Sequence, residues 1–241
     1  MRRPFYTEST DMKPKVGVVL SGCGFLDGSE IHEAVLTLLC LDESGAVAVC
    51  AAPRGAQASV VDHEQQAPAA GASRDMLAEA ARIARGRIQD LAKLRAADLD
   101  AVILPGGFGA AKNLSDFATK GAAAAPHPEV ARLLREMVAA KKPIGAICIA
   151  PAVVAAALGR NVHPTLTIGN DRGTAQALTA MGCTHRDCEV TDCVVDEANG
   201  IVSTPAYMFD AAIGDVGKGI RKLTAAVLER ARRTAAPGRR P

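Results

Sequence analysis

Short apolar runs that stop at small residues constrain this chain more than any other feature. Lys15–Leu20 (KVGVVL) leads into Ser21-Gly22-Cys23-Gly24, Asp100–Pro105 (DAVILP) into Gly106-Gly107, and Pro143–Cys148 (PIGAIC) into a helical pattern. The runs are continuous rather than alternating, so neither face of such a strand is built for water. That suits a parallel sheet covered by helices on both sides. Between the runs the period changes. Glu30–Leu41 places Ile31, Ala34, Val35, Leu38 and Leu39 at helical spacing behind Ser29, a residue suited to an N-cap. Ala46–Ala52 (AVAVCAA) then completes an opening β-α-β unit.

The alternation continues along the chain. Ser73–Lys93 reads as a helix with a break near Gly86. Glu129–Lys141 is amphipathic through Val130, Leu133, Leu134, Met137 and Val138. Ala150–Gly159 reads as a helix closed by Gly159, Leu166–Ile168 as a short strand, and Thr174–Met181 as a helix. Cys188–Thr204 reads as a hairpin turning at Asn199-Gly200, and Met208–Ala231 as a final helix. The prediction is an α/β fold with a mainly parallel central sheet. It forms a single domain over 15–231, with a flexible N-terminal tail over 1–14 and a disordered C-terminal tail over 232–241. In such sheets ligands bind beyond the carboxyl ends of the strands, where Ser21–Gly28, Pro105–Gly109 and Cys148 all fall.

Composition excludes several partners. The 241 residues carry 28 Lys+Arg against 26 Asp+Glu, a formal net charge of +2, and aromatics make up 3% with no Trp. That leaves neither the charge nor the stacking surface expected of a nucleic-acid binder. No apolar run reaches the roughly 18–20 residues of a membrane span, so no membrane partner is expected. Met1–Pro14 has two arginines but no apolar core, and it carries Glu8 and Asp11, unlike a secretory or transit signal. The seven cysteines, an odd number, suit a reducing compartment, and the expectation is cytoplasmic. No metal or cofactor is expected. Cys183, Cys188 and Cys193 lack zinc-site spacing, Leu36 stands where a zincin helix needs its second His, and Ser21–Gly28 misses the dinucleotide fingerprint at Asp27.

Cys148 is the sharpest chemical signal. It ends a buried strand and precedes a helix, with Ala146 and Ala150 two residues to either side, as the tight turn of a nucleophile elbow requires. A helix N-terminus behind the sulfur favours thiolate, and the Ile149 N–H is placed for a developing oxyanion. Gly106 and Gly107 let backbone approach a ligand and offer the other half of that hole. Glu30 and Glu33 begin a helix at the same end of the sheet. A carboxyl buried beside a thiol stays protonated and donates to the sulfur.

Together these segments resemble the ElbB-type branch of the ThiJ/PfpI superfamily, the class I glutamine-amidotransferase-like proteins. The matching residues are Ser21–Gly24, Asp27–Ala34, Pro105–Leu114, Ile147–Pro151, Ala81–Gly86 and Ser203–Met208, within a resemblance that spans about Lys15 to Ala231. The resemblance implies a flavodoxin-like sandwich, Cys148 as nucleophile, Glu30 as the protonated glutamate in contact with it, and Gly107 and Ile149 as oxyanion donors. It also implies a glutathione-independent glyoxalase that turns glyoxal, or a related 2-oxoaldehyde, into the hydroxy acid through a cysteine hemithioacetal without a cofactor, in a homodimer. Two departures matter. Ile149 stands where many members carry a His, and the later strand Leu166–Ile168, from which others donate one, leads to Gly169-Asn170 with His163 a few residues early, which leaves the general base unassigned. Thr204-Pro205-Ala206-Tyr207 replaces the late His and Glu of true glutaminases. The rival readings are a redox-responsive or regulatory protein with an oxidisable Cys148, and an inert inherited elbow.

Overall fold

The computed structural model describes residues 13–235. In chain order it runs β1 (Lys15–Val19), α1 (Ile31–Glu43), β2 (Val47–Ala52), the ribbon β3 (Val61–Asp62) with β4 (Ala67–Pro68), α2 (Met76–Ile83) and β5 (Ile88–Asp90). There follow β6 (Ala101–Leu104), α3 (Phe108–Lys112), α4 (Phe117–Lys120), α5 (Pro128–Ala139), β7 (Ile144–Ile147) and α6 (Ala150–Val162). The chain closes with β8 (Thr165–Leu166), α7 (Arg172–Ala180), β9 (Thr184–His185), β10 (Val194–Asp196), β11 (Ile201–Thr204) and α8 (Ile213–Ala235).

One seven-stranded sheet in the order β10-β11-β7-β6-β1-β2-β5 carries the fold. Every pairing in it is parallel except β10 with β11. The apolar runs form its centre because side chains alternate between two covered faces. Val102, Leu104 and Ile144 pack with Leu133 and Leu134 of α5 and with Val153, Val154 and Leu158 of α6. Val16, Val18 and Ile103 pack on the other side with Leu41 of α1 and with Ile220, Leu223 and Val227 of α8. Each fully buried Leu, Ile or Val contributes about 1.5–3 kcal/mol of apolar transfer. The result is a flavodoxin-like three-layer sandwich. Gly145 in β7 lets α8 approach closely, since a Cβ there would lie 3.0 Å from Ile103 Cγ1 and 3.1 Å from Leu223 Cδ2.

Several local expectations are corrected. The segment 73–93 is not one helix: α2 ends at Ile83, and Ile88–Asp90 pairs with β2 as the sheet's edge strand. α6 continues through Gly159 to Val162 and ends at left-handed His163 (φ +52°). The N-cap of α1 is Glu30 rather than Ser29, because its carboxylate reaches back to accept from the Glu33 N–H at 2.6 Å. Residues 232–235, expected in the C-terminal tail, continue α8. Pro14, expected in the N-terminal tail, accepts from Val47 N–H at 2.8 Å. The remainder of both expected tails, 1–12 and 236–241, lies outside the described residues. Among the described residues no helix is long and apolar enough to cross a membrane.

Candidate active site

Three neighbouring strands, β1, β6 and β7, end at one place. β1 continues into β2 on one side, whereas β6 and β7 lie on the other, so the place is a topological switch point of the sheet. Backbone hydrogen bonds zip the loops after β1 and β6 together. Phe108 N–H donates to Phe25 O (2.7 Å), Gly109 N–H to Gly28 O (2.9 Å), and Glu30 N–H to Gly106 O (3.0 Å). The Asn113 amide adds bonds to Ser21 O (2.9 Å) and Asp27 O (2.8 Å). Gly107 takes φ +88°, a left-handed conformation open to glycine, with the backbone of Gly28, Ser29 and Glu30 packed where a side chain would project.

Cys148 sits at the turn between β7 and α6 with φ +60°. A non-glycine residue there stores backbone strain of about 1–3 kcal/mol, and its N–H is fixed by a bond to Thr204 O at 2.9 Å. Ala146 and Ala150 are fully buried on either side, as the tight turn demands. The side chain is 7% exposed. The Gly107 and Ile149 N–H groups both face its sulfur, and the Cys148 thiol shares a hydrogen bond with the Glu33 carboxyl.

Glu33 is the central electrostatic fact of the site. It is 0% exposed, accepts from Gly106 N–H at 2.8 Å and from Tyr207 N–H at 3.4 Å, and shares a hydrogen bond with Cys148. Burial first, and then the charge on Glu30, push its carboxyl up to about 8. Burial also pushes the Cys148 thiol well above its ordinary value, followed by the charge on Glu33, while the Gly107 and Ile149 amides pull it down. A neutral Glu33 removes the second of these upward pushes and becomes a donor to the sulfur. The expectation of a thiolate stabilised by the helix terminus is therefore corrected: burial outweighs it.

Two assigned roles move. The glutamate that touches the cysteine is Glu33, not Glu30. Gly106 N–H bonds to Glu33, so it does not serve as an oxyanion donor. Glu30 faces a cavity of about 450 Å³ that Cys148, Gly107 and Ile149 also line. The cavity walls include residues that the sequence did not single out, Phe117, Ala118, Asp171 and Thr174, because their segments converge on the site only through tertiary packing. His32 Nδ1 and the Tyr207 hydroxyl form a 2.8 Å hydrogen bond on the neighbouring surface. His163 is bound to Gly182 O at 2.9 Å. It caps the far end of the 13-residue α6, about 20 Å along the helix from Cys148 at 1.5 Å per residue. Among the described residues no group of three His, Cys, Asp or Glu is placed to hold a metal ion.

No family model matches the chain. Individual relatives do. The human glutamine amidotransferase-like class 1 domain-containing protein 3, mitochondrial, is 46% identical over 224 residues, covering 89% of this chain and 82% of that protein. The rat ES1 protein homolog, mitochondrial, is 44% identical over 237 residues, covering 95% of this chain and 88% of that protein. A crystal structure of an isoprenoid biosynthesis protein with an amidotransferase-like domain from Ehrlichia chaffeensis superposes with TM-score 0.85 at 39% identity. It covers 90% of this chain and 99% of that one. Drosophila melanogaster DJ-1beta shares the fold, with TM-score 0.55 at 20% identity, covering 93% of this chain and 96% of that one. The mitochondrial names overturn the cytoplasmic expectation, since unpaired cysteines mark a reducing environment and carry no address. The identity over most of both lengths leads to one conclusion: the chain belongs to the ES1 family of class I glutamine-amidotransferase-like proteins.

Proposed function

We propose that the protein is a glutathione-independent, cofactor-free glyoxalase, as are the ElbB-type proteins its motifs resemble. Cys148 Sγ adds to one aldehyde carbon of a 2-oxoaldehyde, and the thiol proton ends on the carbonyl oxygen, giving a hemithioacetal. The Gly107 and Ile149 N–H groups face that oxygen as charge develops on it. A carboxylate then takes the hydrogen of the attacked carbon as a proton and returns it to the neighbouring carbon. One carbon is oxidised, its neighbour is reduced, and no external electron acceptor is needed. The product is a thioester of the hydroxy acid, which water cleaves to release the acid and restore the thiol.

Glu30, which opens on the cavity, suits the proton shuttle. Glu33, buried behind the sulfur, suits the task of holding a hydrogen bond to it while remaining neutral. The observation that carries the reading is the convergence on one sulfur of two backbone amides and a carboxyl, with a second carboxylate beside the same cavity. The test is glyoxal loss and glycolate formation by wild type and Cys148→Ala; equal rates overturn it. The redox reading is tested by peptide mass spectrometry after mild peroxide: oxidation confined to Cys148 without aldehyde turnover would favour it. The amidotransferase reading lacks a histidine at the sulfur. A homodimer belongs to the proposal: Ile31, Val35 and Leu39 form an exposed apolar row on α1 where a second copy packs, and light scattering tests it. A mitochondrial location, extended from the named relatives, is tested by cell fractionation.

A further inference from the structure

The walls of the cavity over Cys148 say more about its occupant than the reaction does. At about 450 Å³ it falls in the range of pockets that enclose drug-sized ligands, roughly 300–1,000 Å³. A two-carbon dialdehyde leaves most of it unfilled. Phe25, Phe108 and Phe117 contribute rings to the lining, and Met208 adds an adaptable apolar side chain. Two of these rings, Phe25 and Phe108, stand among the chain's few exposed large apolar side chains, at 42% and 50%. Exposed aromatics at a cavity mouth are apolar surface that a ligand covers.

Charge points the same way. The charged residues that line the cavity are Glu30 and Asp171, and among the described residues no Lys or Arg lines it. The ammonium of Lys112 is engaged by Leu26 O at 3.0 Å and lies 5.4 Å from the centroid of the Phe108 ring, without itself lining the cavity. Arg172 lines a separate depression with Asn170 and Asp187. An anionic ligand therefore meets two carboxylates and no Lys or Arg in the lining, which is unfavourable inside a partly desolvated site.

We infer that the site takes uncharged electrophiles bearing an aromatic or bulky apolar group, aryl 2-oxoaldehydes above all, in preference to glyoxal and against anionic analogues. The substrate class rests on the glyoxalase reading; the cavity's selectivity does not. With phenylglyoxal the balance is the same as above. Sγ adds at the aldehyde carbon, the hydrogen there moves as a proton to the ketone carbon, and hydrolysis of the thioester gives mandelate.

Two measurements test it. In the first, kcat/KM is compared for phenylglyoxal and glyoxal. The expected preference is about ten- to hundredfold, the scale at which a buried apolar group discriminates, and Phe117→Ala narrows it. In the second, alkylation of Cys148 is followed by peptide mass spectrometry with N-benzyl iodoacetamide and with iodoacetate, each rate divided by that for a free cysteine peptide. The sulfur displaces iodide in both cases, so charge and shape make the difference. The neutral aromatic reagent is expected to react at least about tenfold faster on this scale, and Glu30→Gln with Asp171→Asn to narrow the gap. Equal normalised alkylation rates overturn the inference. Cys148-dependent turnover that favours glyoxal overturns the substrate class and leaves the glyoxalase reading intact. Aldehyde turnover that survives Cys148→Ala overturns the glyoxalase reading, while the alkylation ratio still decides the selectivity.

Discussion

Replacing Glu33 by Gln removes the fully buried carboxyl beneath the sulfur, whose charged form the fold opposes. The carboxyl moves from an ordinary 4.5 to about 8 on folding. Below 4.5 both folded and unfolded chains hold the proton, and nothing is lost. Between 4.5 and about 8 the unfolded chain releases a proton that the folded chain keeps, so stability falls as pH rises; above about 8 the loss is constant. At about 1.4 kcal/mol per pH unit the wild type gives up about 3 kcal/mol by pH 7 and about 4 by pH 8. Gln cannot ionise, and its amide oxygen still accepts from the Gly106 and Tyr207 N–H groups. The variant should match wild type near pH 4.5 and gain on it steadily above. With a urea dependence of about 1–3 kcal/mol per molar, its midpoint near pH 7 should lie about 1 M or more higher. Urea unfolding from about pH 5 to pH 8 reads this directly, below the range where ordinary thiols ionise. Stability curves that stay parallel across that window would refute the placement of a neutral carboxyl under the sulfur.

Other outcomes follow from the same geometry. Gly106→Ala places a Cβ 2.6 Å from Cys148 Cβ and 2.9 Å from Glu33 Oε2, so activity should be lost and thermal stability should fall by at least about 2 kcal/mol. Cys148→Gly should be more stable than Cys148→Ala by about 1 kcal/mol in denaturant titrations, because φ +60° suits glycine. Glu30→Gln should lower kcat by roughly a hundredfold or more, the scale of a lost general base, while Cys148 remains open to neutral alkylating reagents. Tyr207→Phe breaks the bond to His32. On this partly exposed pair the stability change should stay near 1 kcal/mol in thermal melts.

The elbow was legible because it obeys local rules. A buried strand, a cysteine and a helix with small flanking residues are all written in Gly145–Pro151, and the Cys148 conformation follows from that order. The edge strand β5 was not legible. Ile88-Gln89-Asp90 offers a single apolar residue and needs one partner only, β2, which no local pattern reveals. Gly159 misled in the opposite sense: it lies inside α6 because the Met181 backbone packs where its side chain would be, a tertiary reason for a glycine. The exchange of roles between Glu30 and Glu33 is the most instructive case. The two lie one helical turn apart, and either could turn inward. Once Glu30 folds back to cap the helix, only Glu33 projects beneath the Gly106 amide. The cavity lining from α4 and α7 was illegible for the same reason as β5, since it depends on contacts distant in sequence.

The interlocked loops after β1 and β6 carry an evolutionary corollary. Each supplies acceptors for the other's donors across Phe25, Gly28, Gly106 and Phe108. Neither can be transplanted from a cousin by itself without leaving its counterpart's polar backbone stranded. Chimeras exchanging both segments at once should express and fold, whereas those exchanging a single one should precipitate.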